Sequence, residues 1–308
     1  MKGKAIVKMV FALATALLLT GLLCFLLRLH AAGKLDDTLN LNWIIVHSFN
    51  DRDYNVGGGE FEDIDALEIN WAGGAVEIFT YDGDTLCISE PIMANAEDQL
   101  RWRIENDSKL VIQTCKATLL RTNAELLNKT LTVQIPADWQ ISHIEINGAT
   151  ADVRISELTL GGMEIDLAVG DLTLDHCRFS NLDIEVADGN CTATDTVIQR
   201  LDMDAANGTV YISGAVDSAD IDAATAKLTL ITDVTPYAIS IDMAAGSADI
   251  TLPADAEFTA SYSRIAGGLR VEGFDTVQRS EDTVCGNGSA KYEFDGVAGE
   301  IIIRAAAE

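Results

Sequence analysis

The chain has 308 residues, a formal charge of −27, only 4 Pro and 6% aromatic residues. A surface this acidic repels nucleic acid and anionic headgroups and favours cations or basic partners. With so few aromatic rings, a core has to be built from Ile, Val, Leu and Ala.

Residues 1–34 contain Lys2, Lys4, Lys8, Arg28 and Lys34 and no acid, which leaves 16 basic against 48 acidic residues beyond them. Met9 to Leu27, MVFALATALLLTGLLCFLL, is a stretch of 19 residues without a charge. As a helix it is long enough to cross a hydrocarbon core of about 30 Å. A cleaved signal peptide is the competing reading, but its apolar region usually runs to about 7–15 residues. The LHAAGK that follows is a mediocre cleavage site, and Leu23 before Cys24 does not suit a lipoprotein. Residues 1–34 are therefore expected to form a cytoplasmic tip and an uncleaved transmembrane signal anchor. Lysines before the span and Asp36 and Asp37 after it place the N-terminus inside and everything else outside a cell membrane, in a single pass.

Residues 35–60 read as a juxtamembrane linker. LNWIIVHSF is short and apolar, either a strand or a segment at the membrane surface. NDRDYNVGGGE is polar and Gly-rich, the composition of a flexible tether.

Residues 61–143 read as an N-terminal β region. LEINWAGGAVEIFTYDGD alternates on both sides of Gly73-Gly74. QLRWRIENDSKLVIQT has the form of a hairpin turning at Asn106, Asp107 and Ser108. Thr118–Lys129 reads as a loop or short helix. LTVQIPADW is a strand ended by Pro136.

Residues 144–257 repeat. Strings beginning at Ile144, Met163, Leu182, Leu201, Ala219 and Ile239 align at steps of 18 to 20 residues. With the first residue of each string as position zero, position two is Ile146, Ile165, Ile184, Met203, Ile221 and Ile241. Position five is always Ala: Ala149, Ala168, Ala187, Ala206, Ala224 and Ala244. Position seven is Ala151, Gly170, Gly189, Gly208, Ala226 and Gly246. The string at Leu67 obeys the same template, with Ala72 and Gly74. A period near 19 with strand alternation marks a stacked repeat. The fold class is thus all-β, a parallel β-solenoid with rungs of about 19 residues, preceded by one N-terminal transmembrane helix. Positions zero and two face inward and positions one and three outward, positions nine and eleven turn a second strand's apolar residues inward, and a bend lies between the two strands of each rung. The constant Ala and frequent Gly are expected inside that bend, where a larger side chain would wedge the rungs apart. An antiparallel sandwich of evenly spaced strands would instead show hairpin turn signals at each step. The second half of each repeat (SELTLGG, DHCRFSN, TDTVIQR) lacks them.

Residues 258–308 are expected to cap the array, since open rung edges invite aggregation. ADITLPADAEF echoes LTVQIPADWQI, so Pro136 and Pro253 flank the repeats.

Chemistry is sparse. Cys87, Cys115, Cys177, Cys191 and Cys285 are widely spaced with no CxxC, and His30, His47, His143 and His176 do not cluster with them. Buried small hydrophobes, with at most a Cys87–Cys115 bridge, suit them better than a zinc site. Phosphate-loop, HExxH, GxSxG and Rossmann fingerprints are missing. Acid pairs are too many for one to stand out as a glycosidase dyad. The rungs vary by about one residue in length, which leaves no extruded loops for a polysaccharide-cleaving site. No catalytic, cofactor-binding or metal-ligating residue is assigned, and no enzyme is expected. The one constellation is a pair of acid columns. Position one is Glu145, Glu164, Asp183, Asp202, Asp220 and Ser240, and position three is Asn147, Asp166, Glu185, Asp204, Asp222 and Asp242. They read as a solvated face that opposes edge pairing, or as a diffuse, weak binding surface for divalent cations.

LTVQIP, rungs of the form xIDxAxGDLTL and a second ITLP together resemble the bacterial putative-adhesin family of β-strand-repeat proteins, over residues 61–305. The match departs where family members carry Ser-Gly and this chain has Ala-x-Gly. The resemblance implies a β-solenoid protein of the bacterial cell envelope, often membrane-anchored, and carries over no binding residue. The expected role is a surface binding module or adhesin with an unknown protein or glycan ligand and no nucleic acid partner. The alternative is a regulator or sensor of envelope stress. With about eight residues before the span, it would have to signal through a membrane partner.

Overall fold

The structure, a computed structural model, describes residues 43–44, 54–116, 121–122, 126–280 and 282–307. Met9–Leu27, the tip before it and most of the tether lie outside the described residues. Among those described, no helix is long and apolar enough to cross a membrane.

The repeats stack as parallel rungs in the register that the period implies. Leu67 pairs with Ile144, Ile144 with Met163, and Met163 with Leu182. Leu182 then pairs with Leu201, Leu201 with Ala219, and Ala219 with Ile239. Every one of these ladders is parallel, so one period is one rung and a sandwich of hairpins is excluded. Alternation buries positions zero, two, nine and eleven. In the Ile144 rung these are Ile144, Ile146, Val153 and Ile155, and in the Leu201 rung Leu201, Met203, Val210 and Ile212. Each buried aliphatic side chain contributes roughly 1.5–3 kcal/mol, and stacking repeats the same contacts from rung to rung.

The bend differs from the expectation. Positions five and six both point outward and make the corner. Ala168 is exposed, and Ala149, Ala187, Ala206, Ala224 and Ala244 are only half-buried. Inward packing therefore does not fix the alanine column. The tight column is position seven. A Cβ on Gly170 would lie 2.0 Å from the carbonyl oxygen of Ala151, and one on Gly208 would lie 1.7 Å from that of Gly189. Gly170, Gly208 and Gly246 also hold φ of +150°, +142° and +139°. Ala151 and Ala226 occupy the same column without a positive φ and are buried.

The two Pro-Ala-Asp segments form the same turn. Pro136 accepts a hydrogen bond from the Trp139 N–H at 3.0 Å, and Pro253 one from the Ala256 N–H at 3.0 Å.

Both ends depart from the sequence reading. The expected linker ends early, because Asn55–Val56 and Gly59–Phe61 already pair antiparallel with Arg101–Glu105 and Leu86–Ser89. Beyond the Leu67 rung lies a split rung, Lys109–Gln113 and Thr130–Pro136, parallel to the two halves of Ala66–Tyr81. Residues 258–308 do not simply cap the stack. Phe258–Glu272 is a further rung, yet Ala290–Ala305 slots in between it and the Ile239 rung. Ile239 pairs with Tyr292, and Tyr292 pairs with Ala260, so the last strand in the chain is not the last in the stack. The short strands Thr276–Arg279 and Asp282–Cys285 turn the chain back to make this possible.

The scarce rings gather at these ends. Phe61 meets Trp102 edge-on at 4.6 Å at one, and Phe258 stacks on Tyr292 at 5.1 Å at the other. The five cysteines among the described residues are free, four of them buried, so Cys87 and Cys115 are not bridged. Burial pushes the Cys191 thiol up to about 12, which keeps it inert.

Candidate functional site: a ladder of carboxylates

Position one and position three lie two residues apart on one strand, so both side chains emerge from the same outer face. The parallel register then stacks like upon like. Glu68, Glu145, Glu164, Asp183, Asp202 and Asp220 are consecutive cross-strand partners. Beside them run Asn70, Asn147, Asp166, Glu185, Asp204, Asp222 and Asp242. The inserted C-terminal strand extends both columns, placing Glu293 against Ser240 and Asp295 against Asp242. That extension was missed in the sequence, because residues 290–305 stand outside the run of equal steps.

Neighbouring strands lie about 4.8 Å apart, so each carboxylate feels its neighbours directly. Loss of hydration, then Asp166, Glu145 and Asp183, raises the pKa of Glu164 above the usual carboxylate range. Asp166 is raised by the same loss, with Asp183 and Glu145 adding to it. Glu185 is raised by lost hydration and by Asp166, Asp204, Asp183 and Glu164.

At the N-terminal end the ladder is neutralised. Lys109 Nζ lies 2.5 Å from Glu68 and 3.8 Å from Glu145. Partial burial raises the Glu68 pKa, but the Lys109 and Asn70 hydrogen bonds outweigh it and hold the group below the usual range. Asn147 Nδ2 donates to Glu145 Oε1 at 3.0 Å and to Asn70 Oδ1 at 3.2 Å. The field of the ladder therefore grows away from this end.

A second polar ladder, overlooked in the sequence, lines the bend at position eight. Asp152 Oδ1 accepts the Asp171 N–H at 3.1 Å, Asp171 Oδ1 accepts the Asn190 N–H at 2.9 Å, and Asn190 Oδ1 accepts the Thr209 N–H at 3.1 Å. Its oxygens are occupied by backbone, so its role is to hold the corner. The signal was present in the sequence as an acid or amide recurring at that step.

Among the described residues, no group of three or more His, Cys, Asp or Glu side chains has the geometry to cage a metal ion. The ladder is a flat, repetitive field, suited to many weak contacts with positive charge rather than to one tight site.

The family model described as Toastrack DUF4097 matches residues 64–304. No curated protein is similar enough to the chain to count as a match. Among solved structures, a putative adhesin from Parabacteroides distasonis is similar at 12% identity, with 83% of this chain and 98% of that chain covered and a TM-score of 0.45. A putative lipid binding protein from the same species is similar at 12% identity, covering 83% and 98%, with a TM-score of 0.40. A putative cell adhesion protein from Clostridium sporogenes is similar at 14% identity, covering 82% and 100%, with a TM-score of 0.29.

Proposed function

Because the chain belongs to the Toastrack DUF4097 family, we propose that it is a non-enzymatic surface-binding module of the cell envelope, held to the membrane by Met9–Leu27 with the β stack outside. The observation that carries the binding role is the pair of in-register acid columns on one outer face. Stacking like charges costs on the order of 1 kcal/mol per neighbouring pair in water. A partner bearing regularly spaced positive groups removes that repulsion at every rung. The ligand class is therefore polycationic, a basic protein segment or an amine-bearing glycan, with divalent cations as weak competitors. Central rungs that differ by only about one residue in length support a binding role over catalysis.

The test uses the full chain in lipid nanodiscs, with polylysine as the probe. Binding should weaken severalfold in Asp183→Asn with Asp202→Asn, and its dependence on salt should flatten. Millimolar Ca²⁺ should compete better than NaCl at matched ionic strength. Unchanged polylysine binding by the variant overturns the reading.

A further inference from the structure

The end of the stack nearest the tether is chemically unlike the rest. Seven large hydrophobic residues are exposed among those described, and three of them, Val56, Ile92 and Ile104, lie at this end. Ile92 is 99% exposed in the loop joining Leu86–Ser89 to Arg101–Glu105. Val56 and Ile104 sit on the outermost pair of strands. Beside them is a shallow groove of about 450 Å³ lined by Asn55, Trp102, Arg103, Ile104 and Glu105.

The loop is pinned, so Ile92 cannot easily fold back into the core. Beneath it, fully buried Lys129 pairs with Glu90 and donates to the carbonyls of Asp98, at 2.8 Å, and Thr114. Glu90 Oε1 also accepts the Leu100 N–H at 2.8 Å. On the outside, Arg101 donates to the Ala96 carbonyl at 3.1 Å, and Lys116 lies 3.4 Å from Glu97.

Basic residues are also denser here than along the stack. Residues 90–129 carry six bases against six acids, residues 54–89 add eight acids and no base, and residues 130–308 carry 30 acids and nine bases. An anionic lipid surface repels the acid columns and attracts the basic side chains that residues 90–129 concentrate at this end. The chain also arrives here. Trp43–Ile44 pairs with Arg121–Thr122, and Asn55–Val56 pairs with Trp102 and Arg101. Between Leu27 and Trp43 lie only 15 residues, a reach of at most about 55 Å when fully extended.

We propose that this end is a lipid-docking surface. Resting on the anchored reading above, it sits on the headgroup layer of the membrane that holds the chain, with Ile92 inserted and Val56 and Ile104 beside it. The stack then stands upright and presents its acid ladder away from the bilayer. The occupant is the lipid surface, since the tether keeps it at high local concentration.

The test is photocrosslinking of the full chain reconstituted in vesicles of phosphatidylethanolamine and phosphatidylglycerol. One probe lipid is photoactivatable at the headgroup and a second in the acyl chain, and adducts are mapped by mass spectrometry. Headgroup adducts are expected at residues 54–56, 91–93 and 101–104, and not at Tyr237 or Val277. Ile92→Asp, at a fully exposed position, should lose those adducts, and Arg101→Glu should weaken them. Acyl-chain adducts within residues 9–27 report the anchor separately. Their absence sinks the anchored reading. Their presence without headgroup adducts at the cap, or with adducts spread evenly along the stack, overturns the docking surface alone. Crosslinks joining two copies through Ile92 overturn it in favour of a dimer.

Discussion

At Gly208 a Cβ would lie 1.7 Å from a backbone oxygen of the rung beneath, and φ is +142°. Neither problem can be relieved by turning a side chain, because the obstacle is main chain. Gly208→Ala should destabilise the protein by about 2–4 kcal/mol, the combined scale of backbone strain and overpacking. Ala206→Leu, two residues earlier but facing outward, should change stability by less than about 1 kcal/mol. Urea melts of the two variants check this, and equal losses would put the tight column back at position five. The acids give a second prediction at this scale. A carboxyl raised in the folded state holds its proton at a pH where the unfolded chain has lost it. Glu164, Asp166 and Glu185 are all raised. Stability therefore rises as pH falls from 7 through their raised values towards the ordinary range of about 4–4.5. Below that range Glu68 and Glu272, both held low, lose their contribution as they take up protons. The melting temperature should pass through a maximum on the acid side of neutrality. Glu185→Gln should raise it at pH 7 and shrink the gain on acidification. A melting temperature that only falls with acid would contradict this.

Elements differ in how they are secured. A central rung is held by identical neighbours on both sides, so its stability comes from nearest-neighbour contacts. Ala290–Ala305 is different, since it bridges the Ile239 rung and Phe258–Glu272. Side chains reinforce the bridge. Arg304 pairs with Asp249 on one side and with Glu272, at 2.8 Å, on the other. Truncation after Ser289 should strip amide protection from residues 258–272, while the Met163 to Leu201 rungs keep theirs. Hydrogen exchange reads this directly, and a uniform loss of protection would mean that the stack unfolds as one unit. At the opposite end, Lys129 and Glu90 form a buried ion pair, with side chains 0% and 6% exposed. Burial lowers the Lys129 pKa, and Glu90 works against that. Removing one partner leaves a buried charge, so Lys129→Met should cost about 3–5 kcal/mol. Lys129→Met with Glu90→Leu should recover part of that in thermal melts. If the double variant is as unstable as the single, the pair is not what fastens the loop.

For the whole molecule, the proposed arrangement is a span, a short tether and an upright acidic stack. On that arrangement, with the lysines at 2, 4 and 8 inside, protease added to intact protoplasts should remove the β domain. Digestion only after lysis would reverse the topology. The molecule is also polar along its stack axis. The cap next to the tether exposes Ile92, Val56 and Ile104, and the acid columns lie beyond it. The same asymmetry keeps neighbouring bodies apart, because columns of like charge oppose edge-to-edge pairing.

Sequence alone determined the all-β class, the parallel rungs, the inward columns and the acid ladder. It could do so because a strand alternates with period two and a parallel stack copies its register. Position zero of one rung then has to sit on position zero of the next, and Ile144, Met163 and Leu182 do so. Tertiary structure decided what periodicity does not encode. The corner overturns the tight-packing reading of Ala168 and Ala187, because two successive outward residues reset the alternation there. The Gly column is tight through contact with main-chain oxygen of another rung, a distance that only stacking creates. The C-terminal strand lies out of chain order because a parallel edge accepts any strand of matching register, and sequence order does not constrain which one arrives.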